Sequence, residues 1–317
     1  MQIFHNANYN FIKWRWHALI VSIVVIWAGV FHVYLRGGLP LGIDFTGGTV
    51  VTLEFSKPVG EDAVRNALGP IGSDAVVQRL VSSDASKTDI MIRLPLTQGQ
   101  QTNLDQDAAR IEQAIRAANI GDFVSRGKDI VGPTVGADLQ RKGIWATLAS
   151  LGGILIYVAI RFRLTFAVGA IVATFHDILI TLVFLTWFHY DLSLNVIAAI
   201  LTIAGYSVND TIVVFDRVRE NQRIARREPL DKLVNASVNQ TLGRTIITSG
   251  TTFLAVLALY LFGGDVLRGF AFTMIVGIIT GTYSTVFIAA SIAIILSRRT
   301  APTQAGMKAA DARRRRA

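Results

Sequence analysis

The chain has no cysteine among its 317 residues. No disulfide can hold any part of it, so each folded unit must rest on its own core. It also has no H-E-x-x-H pattern, which removes the usual helix-borne zinc site of a metalloprotease, and no G-x-G-D of the kind expected in an intramembrane aspartyl protease. The first apolar run has a basic flank before it but no A-x-A-like site after it, so the reading is an uncleaved helix rather than a removed signal peptide. Neither an internal duplication nor a second long polar insertion is visible. These absences point away from an enzyme, and no cofactor or metal is expected.

What the chain has is apolar length. Hydrophobic residues make up 51% of it and the mean hydropathy is +0.45, too apolar for an ordinary soluble protein. Six stretches, at about 17–35, 144–160, 164–188, 192–215, 245–262 and 270–296, are long enough to cross a hydrocarbon core of ~30 Å. A net charge of +9 and a pI near 10.1 would suggest nucleic acid in a soluble protein, but here the cations follow membrane topology and no nucleic-acid partner is expected. Lys13 and Arg15, Arg161 and Arg163, the group from Arg217 to Lys232, and the tail with Arg298, Arg299 and Arg313 to Arg316 all fall on one side if six helices alternate. By the positive-inside rule that side is the cytoplasm, with both termini inside. The terminal arginine run suits anionic lipid headgroups.

Residues 36 to about 143 form one long polar insertion between the first two spans, which the same topology places outside. Gly47 to Phe55 alternates and is β-branched, Glu61 to Leu68 reads as a short helix closed by Gly69-Pro70, and Ala75 to Val81 and Asp89 to Leu94 alternate again. Leu104 to Ala118 has helical spacing and Phe123 to Val131 is extended. The order β-α-β-β-α-β is that of a ferredoxin-like split βαβ domain. It holds no histidine or cysteine and its charges are scattered, so it binds or moves rather than reacts. The expected division is 1–36 for the N-terminus and first span, 37–140 for the ferredoxin-like domain, 141–297 for spans two to six, and 298–317 for a basic tail.

Asp210 stands out because it lies in the apolar stretch Leu192 to Phe215. A charge at mid-bilayer costs ~2.5–3.5 kcal/mol on insertion scales, so such residues face a protein interior, a partner or a water path. Arg244, just before the fifth stretch, could lie opposite it in a helical hairpin. A carboxylate that can trade a proton for an arginine partner suits a proton relay; the alternative is a helix-end aspartate that merely ion-pairs near the interface. Arg244, Thr248 and Thr252 share one helix face at i, i+4, i+8, there either to bond across helices or to bond back to their own. His176-Asp177, midway along the third span, is either a second protonatable step or a packing pair; neighbours pointing ~100° apart should not share a partner. Asn209 either steadies Asp210 or bonds across helices.

Gly42-Ile43-Asp44-Phe45-Thr46-Gly47-Gly48 resembles the G-I-D-F-x-G-G signature of the SecD/SecF family, and Val131-Gly132-Pro133-Thr134-Val135-Gly136 resembles its V-G-P-x-V-G element. Gly205 to Arg217 with Arg219-Glu220-Asn221 is similar to the family's fourth-span motif. The resemblance covers almost the whole chain, and a single modest outer domain points to the smaller of the family's two members. It departs at Asp138-Leu139, where Glu-Leu is expected. It implies an α-helical membrane protein of the RND superfamily, six helices forming half a transporter. It further implies a subunit of the Sec export machinery in the bacterial inner membrane, working with SecD, SecYEG, YajC and YidC on translocating preproteins and driven by protons. Asp210 and Arg244 match the family's fourth-span aspartate and fifth-span arginine. Asp44, Gly42, Gly47 and Gly48 suit a tight entry into a strand, and Gly47-Gly48 with Gly132-Pro133 would be the hinges of the outer domain. The rival reading is half of an RND-type small-molecule efflux transporter, which should carry the second insertion and the duplication this chain lacks.

Overall fold

A computed structural model describes residues 7–73, 75–80, 87–95, 104–225 and 227–300; the arginine run of the tail lies outside them. Helix α1 (Arg15–Leu35) leads to the short α2 (Ile43–Thr46) and then to the inserted domain: β1 (Gly48–Phe55), α3 (Glu61–Ala67), β2 (Val76–Leu80), β3 (Thr88–Pro95), α4 (Leu104–Ala118) and β4 (Phe123–Val131). The chain continues through α5 (Pro133–Arg161), α6 (Leu164–Trp187), α7 (Leu194–Ile224), α8 (Leu230–Phe262), α9 (Gly264–Ser284), a π turn (Thr285–Ala289) and α10 (Ala290–Thr300). Six helical segments are long and apolar enough to span a membrane, α9 to α10 counting as one.

The inserted domain is the expected α+β unit. Its strands lie in the order β2-β3-β1-β4, all neighbours antiparallel, so each βαβ pair is split by the strand between its members. β1 is central and packs Val51, Leu53 and Phe55 inward, against Ile90 and Ile92 of β3 and Ala108, Ile111 and Ile115 of α4. The period of two on the strand and the i, i+3, i+7 spacing on the helix meet in one apolar layer. A glycine is required at the entry to β1. Gly47 and Gly48 have φ of 68° and 131°, and a Cβ on Gly48 would lie 2.4 Å from the carbonyl oxygen of Leu94. The V-G-P element is the start of a membrane helix, with Gly132 as N-cap of α5 and proline at its first turn. Residues 133–143 therefore belong to the second span's helix rather than to the domain.

In the membrane part, spans 3, 4 and 6 form the inner bundle, with 56, 50 and 61% of their apolar windows buried. Spans 1, 2 and 5 bury only 11, 11 and 17%, so their outer faces meet lipid or another polypeptide. Span 6 approaches span 4 closely because glycine faces it: a Cβ at Gly277 would lie 2.1 Å from Ile203, and one at Gly281 would lie 3.2 Å from Ser207. The polar stretch from Asp216 to Gly243 is helical almost throughout, extending α7 to Ile224 and starting α8 at Leu230, directly after Pro229. Its arginines, glutamates and glutamines are good helix formers. The two extensions are pinned together by Arg217 Nε to Gln240 at 2.6 Å and Asn221 to Ser237 at 2.8 Å.

Candidate functional site

Asp210 sits on α7 and is 7% exposed. It lies sixteen residues after Leu194, ~24 Å along the helix axis, with a further turn and more beyond it, so it is no helix-end residue. Its Oδ1 accepts a hydrogen bond of 2.8 Å from the Thr245 hydroxyl on α8. Its Oδ2 is buried with no protein donor among the described residues.

The expected partner, Arg244, makes no ion pair with Asp210; it is exposed. The hairpin of α7 and α8 forms as anticipated, but the face of α8 that meets Asp210 is one residue further along. Thr241, Thr245 and Ser249, at i, i+4, i+8, are the buried row, each at most 8% exposed. A shift of one position turns a side chain ~100° around the axis, which takes Arg244, Thr248 and Thr252 to the outside. Thr248 and Thr252 bond back to the carbonyls of Arg244 and Thr248 at 3.0 and 2.9 Å, leaving their hydroxyls no part in a row across helices. Asn209 is exposed as well, and its side chain makes no hydrogen bond to the Asp210 carboxylate.

The third-span pair lies in a second polar cluster. His176 is 7% exposed and Asp177 fully buried. His176 Nδ1 meets Asp177 Oδ1 at 2.9 Å, so the two are a hydrogen-bonded pair, while their remaining polar atoms face different partners, as neighbours ~100° apart should. Asp177 Oδ2 accepts hydrogen bonds from Ser207 of α7 and, at 2.7 Å, from Ser284 of α9. His176 Nε2 lies 2.9 Å from the Ser22 hydroxyl of α1. Ser207 is one turn before Asp210, so the two clusters share span 4. Sequence reading overlooked Thr245, Ser207, Ser284 and Ser22; for the first three the one available signal was hydroxyl residues recurring at helical spacing inside apolar spans, and Ser22, the lone hydroxyl of α1 apart from its tyrosine, gave none.

The signature residues collect at the membrane face of the inserted domain. Asp44, in the first turn of α2 after span 1, also reaches span 4: its Oδ2 accepts from the backbone N–H of Leu194 at 2.8 Å. A carboxylate there completes the N-terminus of α7, where orphan N–H groups and the helix dipole favour negative charge. Around it, Gly42 N–H bonds Leu192 O at 2.9 Å and Leu192 N–H bonds Pro40 O at 2.7 Å. A buried Arg93 of β3 pairs with Asp191 in the same loop. Burial pulls the Arg93 guanidinium down to about 10, which leaves it charged at neutral pH. Among the described residues no group of three or more His, Cys, Asp or Glu could hold a metal.

Comparison with known proteins bears on this arrangement. Residues 110–299 match the family model "Protein export membrane protein SecD/SecF, C-terminal", and residues 37–59 match "SecD/SecF GG Motif". The protein translocase subunit SecF of Rhodothermus marinus is 42% identical, covering 95% of this chain and 97% of its own. The chain belongs to the SecD/SecF family. The SecF subunit of Escherichia coli O157:H7 is 38% identical over 92% of this chain and 88% of that one. Among solved structures, SecDF of Thermus thermophilus, described as a translocon-associated membrane protein, is similar with a TM-score of 0.80 and 35% identity over 93% of this chain. A SecDF structure in a super-membrane-facing form gives 0.67 over 98%. The chain spans 39% and 41% of those two SecDF chains. A SecD/SecF membership with six apolar helices makes this a bacterial membrane protein of the Sec protein-export machinery.

Proposed function

We propose that the chain works with SecD in the Sec translocase and uses the proton-motive force to complete protein translocation, with Asp210 as the proton carrier. The observation that carries this reading is the half-satisfied carboxylate: one oxygen of Asp210 is held by Thr245 and the other is buried with no protein donor among the described residues. A fixed structural aspartate would have both oxygens satisfied; a carrier keeps one free for a proton. Moving one charge across 100 mV supplies ~2.3 kcal/mol, enough to bias a domain between two positions.

SecD then covers the face that carries Asn209, Arg244, Thr248 and Thr252, because an exposed arginine within an apolar helix is costly in lipid. Arg244 serves at that interface or pairs with Asp210 in another state of the cycle. The inserted domain lies outside, both termini are cytoplasmic, and SecYEG, YajC and YidC are further partners in the inner membrane. The domain meets the emerging preprotein, the basic tail meets lipid headgroups, and the chain is a transport subunit rather than an enzyme.

The test is export completed by inner-membrane vesicles holding SecD and equal amounts of each variant, at fixed ATP, with and without a proton gradient. Asp210→Asn should assemble normally and lose the gradient-dependent part, since the amide is isosteric but cannot exchange a proton. Full stimulation in that variant would remove Asp210 as carrier.

A further inference from the structure

We propose that His176 and Asp177 form a second proton-binding centre in the membrane core, whose exchangeable proton decides whether Tyr283 of span 6 is tied to Ser22 of span 1. The link of this centre to export rests on the proton-driven reading above; its proton content does not.

The argument is a count of hydrogens. The Tyr283 hydroxyl lies 2.8 Å from the carbonyl oxygen of Ala18, which can only accept, so the tyrosine proton is committed there. Tyr283 is also 3.2 Å from the Ser22 hydroxyl, and with its own proton spent it can only accept from Ser22. Ser22 has then used its single proton, and its 2.9 Å contact with His176 Nε2 requires that Nε2 carry a hydrogen. On the other side, the 2.9 Å contact between Nδ1 and Asp177 Oδ1 needs one more hydrogen between them. Whichever of those two atoms holds it, the pair has two protons in all and no net charge. This is one proton more than a neutral histidine beside an ionised aspartate.

Two further observations agree. Asp177 Oδ2 accepts from Ser207 and from Ser284 at 2.7 Å, the Ser284 hydroxyl lying farther, 3.2 Å, from its other acceptor, the Gly281 carbonyl, so the outer oxygen of the pair has donors without the proton. The Tyr283 ring stacks beside the imidazole at 6.1 Å between centroids and 30° between planes, near the limit at which an aromatic face favours a cation. The groups that face the pair are Ser22 from span 1, Ser207 from span 4, and Tyr283 and Ser284 from span 6. Tyr283 is the titratable one among them. Asp210 lies one turn further along span 4, and no arginine or lysine contacts the pair among the described residues.

Loss of the proton follows one course. Nδ1–H stays on Asp177, Nε2 becomes an acceptor, and the Ser22 hydroxyl turns from Tyr283 to Nε2. The bond between spans 1 and 6 is lost and the pair becomes a net anion beside Ser207. Like charges oppose each other's ionisation, so a proton leaving this centre and a proton leaving Asp210 are coupled through span 4. The π turn Thr285–Ala289 begins directly after Ser284, and such turns are frequent at functional sites.

The test uses the whole chain with SecD in lipid bilayers, labelled with nitrogen-15 in its five histidines, the His176 signals being identified by their absence in His176→Gln. At neutral pH His176 Nε2 should carry a proton, and in Tyr283→Phe, which removes the acceptor of Ser22, that form should weaken. A bare Nε2 in the native protein overturns the proposal. For the functional link, gradient-dependent export is followed against pH. His176→Gln should move the midpoint by about one unit or abolish the stimulation, with export at zero gradient retained. An unchanged profile in that folded variant also overturns the proposal. Full stimulation in Asp210→Asn would count against the carrier reading alone, because the Nε2 measurement does not depend on it.

Discussion

At the level of single residues, the hydroxyl on Asp210 matters more than the guanidinium beside it in sequence. Thr245→Val is close to isosteric and removes the one donor Asp210 has among the described residues, at an expected cost of about 1.5–3 kcal/mol for a bond to a charged group. Arg244→Met should leave the stability of the isolated chain unchanged, because Arg244 is exposed and unpaired with Asp210, and should instead weaken assembly with SecD; Arg244→Lys should be milder, keeping charge without the planar fork. Unfolding in detergent and co-purification with SecD separate the two effects. If Arg244→Met alone destabilised the chain as much as Thr245→Val, the inward face of α8 would be misassigned. In the inserted domain, Glu54 receives hydrogen bonds from Arg126 and then Lys87, and these hold its carboxyl below the usual carboxylate range. A lowered folded-state value gives stability that is present above the unfolded value and lost as pH falls through the folded one. Glu54→Gln should therefore show a smaller drop in melting temperature than the native protein between neutral and acid pH.

Among elements, the contact that decides how the domain sits is the loop between α6 and α7. Asp44 completes the start of α7, the helix that carries both Ser207 and Asp210, and the Arg93–Asp191 pair holds β3 to the same loop. Gln78 of β2 adds a bond of 2.8 Å to the His189 carbonyl. The domain is thus docked on the fourth span by several polar contacts, in addition to the glycine junctions at Gly47-Gly48 and Gly132-Pro133. Arg93→Ala leaves Asp191 without its cation in a mostly buried site, and removing one partner of such a pair typically costs ~3–5 kcal/mol. Replacing both, as Arg93→Met with Asp191→Leu, should cost much less. Limited proteolysis of the domain junction in intact membranes would rank the variants. Equal sensitivity of the single and double replacements would mean that the pair does not hold the domain.

For the whole molecule, the proposed topology is tested by labelling from the two sides of the membrane. Ser237 is a natural choice for a labelling site on the charged hairpin by sequence, but it is fully buried and bonded to Leu233 O and Asn221. Exposed Lys57 in the domain and Glu228 in the α7–α8 turn are better positions, and a chain without cysteine needs no background removed. In intact cells a cysteine at Lys57 should react with an impermeant thiol reagent and one at Glu228 should be protected. The reverse pattern would invert the topology.

Hydrophobic runs, charge placement and alternation are properties of neighbouring residues, so the sequence alone determined the six spans, the single α+β insertion and its strand and helix pattern. Asp210 was legible for the same reason, as a charge in an apolar run. Its surroundings were not. Which face of α8 meets Asp210 turns on one residue of rotation, and helix packing against α9 and α7 sets it rather than any local pattern. The His176–Asp177 network draws Ser22, Ser207, Tyr283 and Ser284 from three other spans, and hydroxyl residues are common enough in membrane helices that none of them signals a role. Asp44 caps a helix that begins 150 positions away. Such contacts depend on how rotated and translated helices meet, and that is fixed only when apolar faces and small residues have packed the whole bundle.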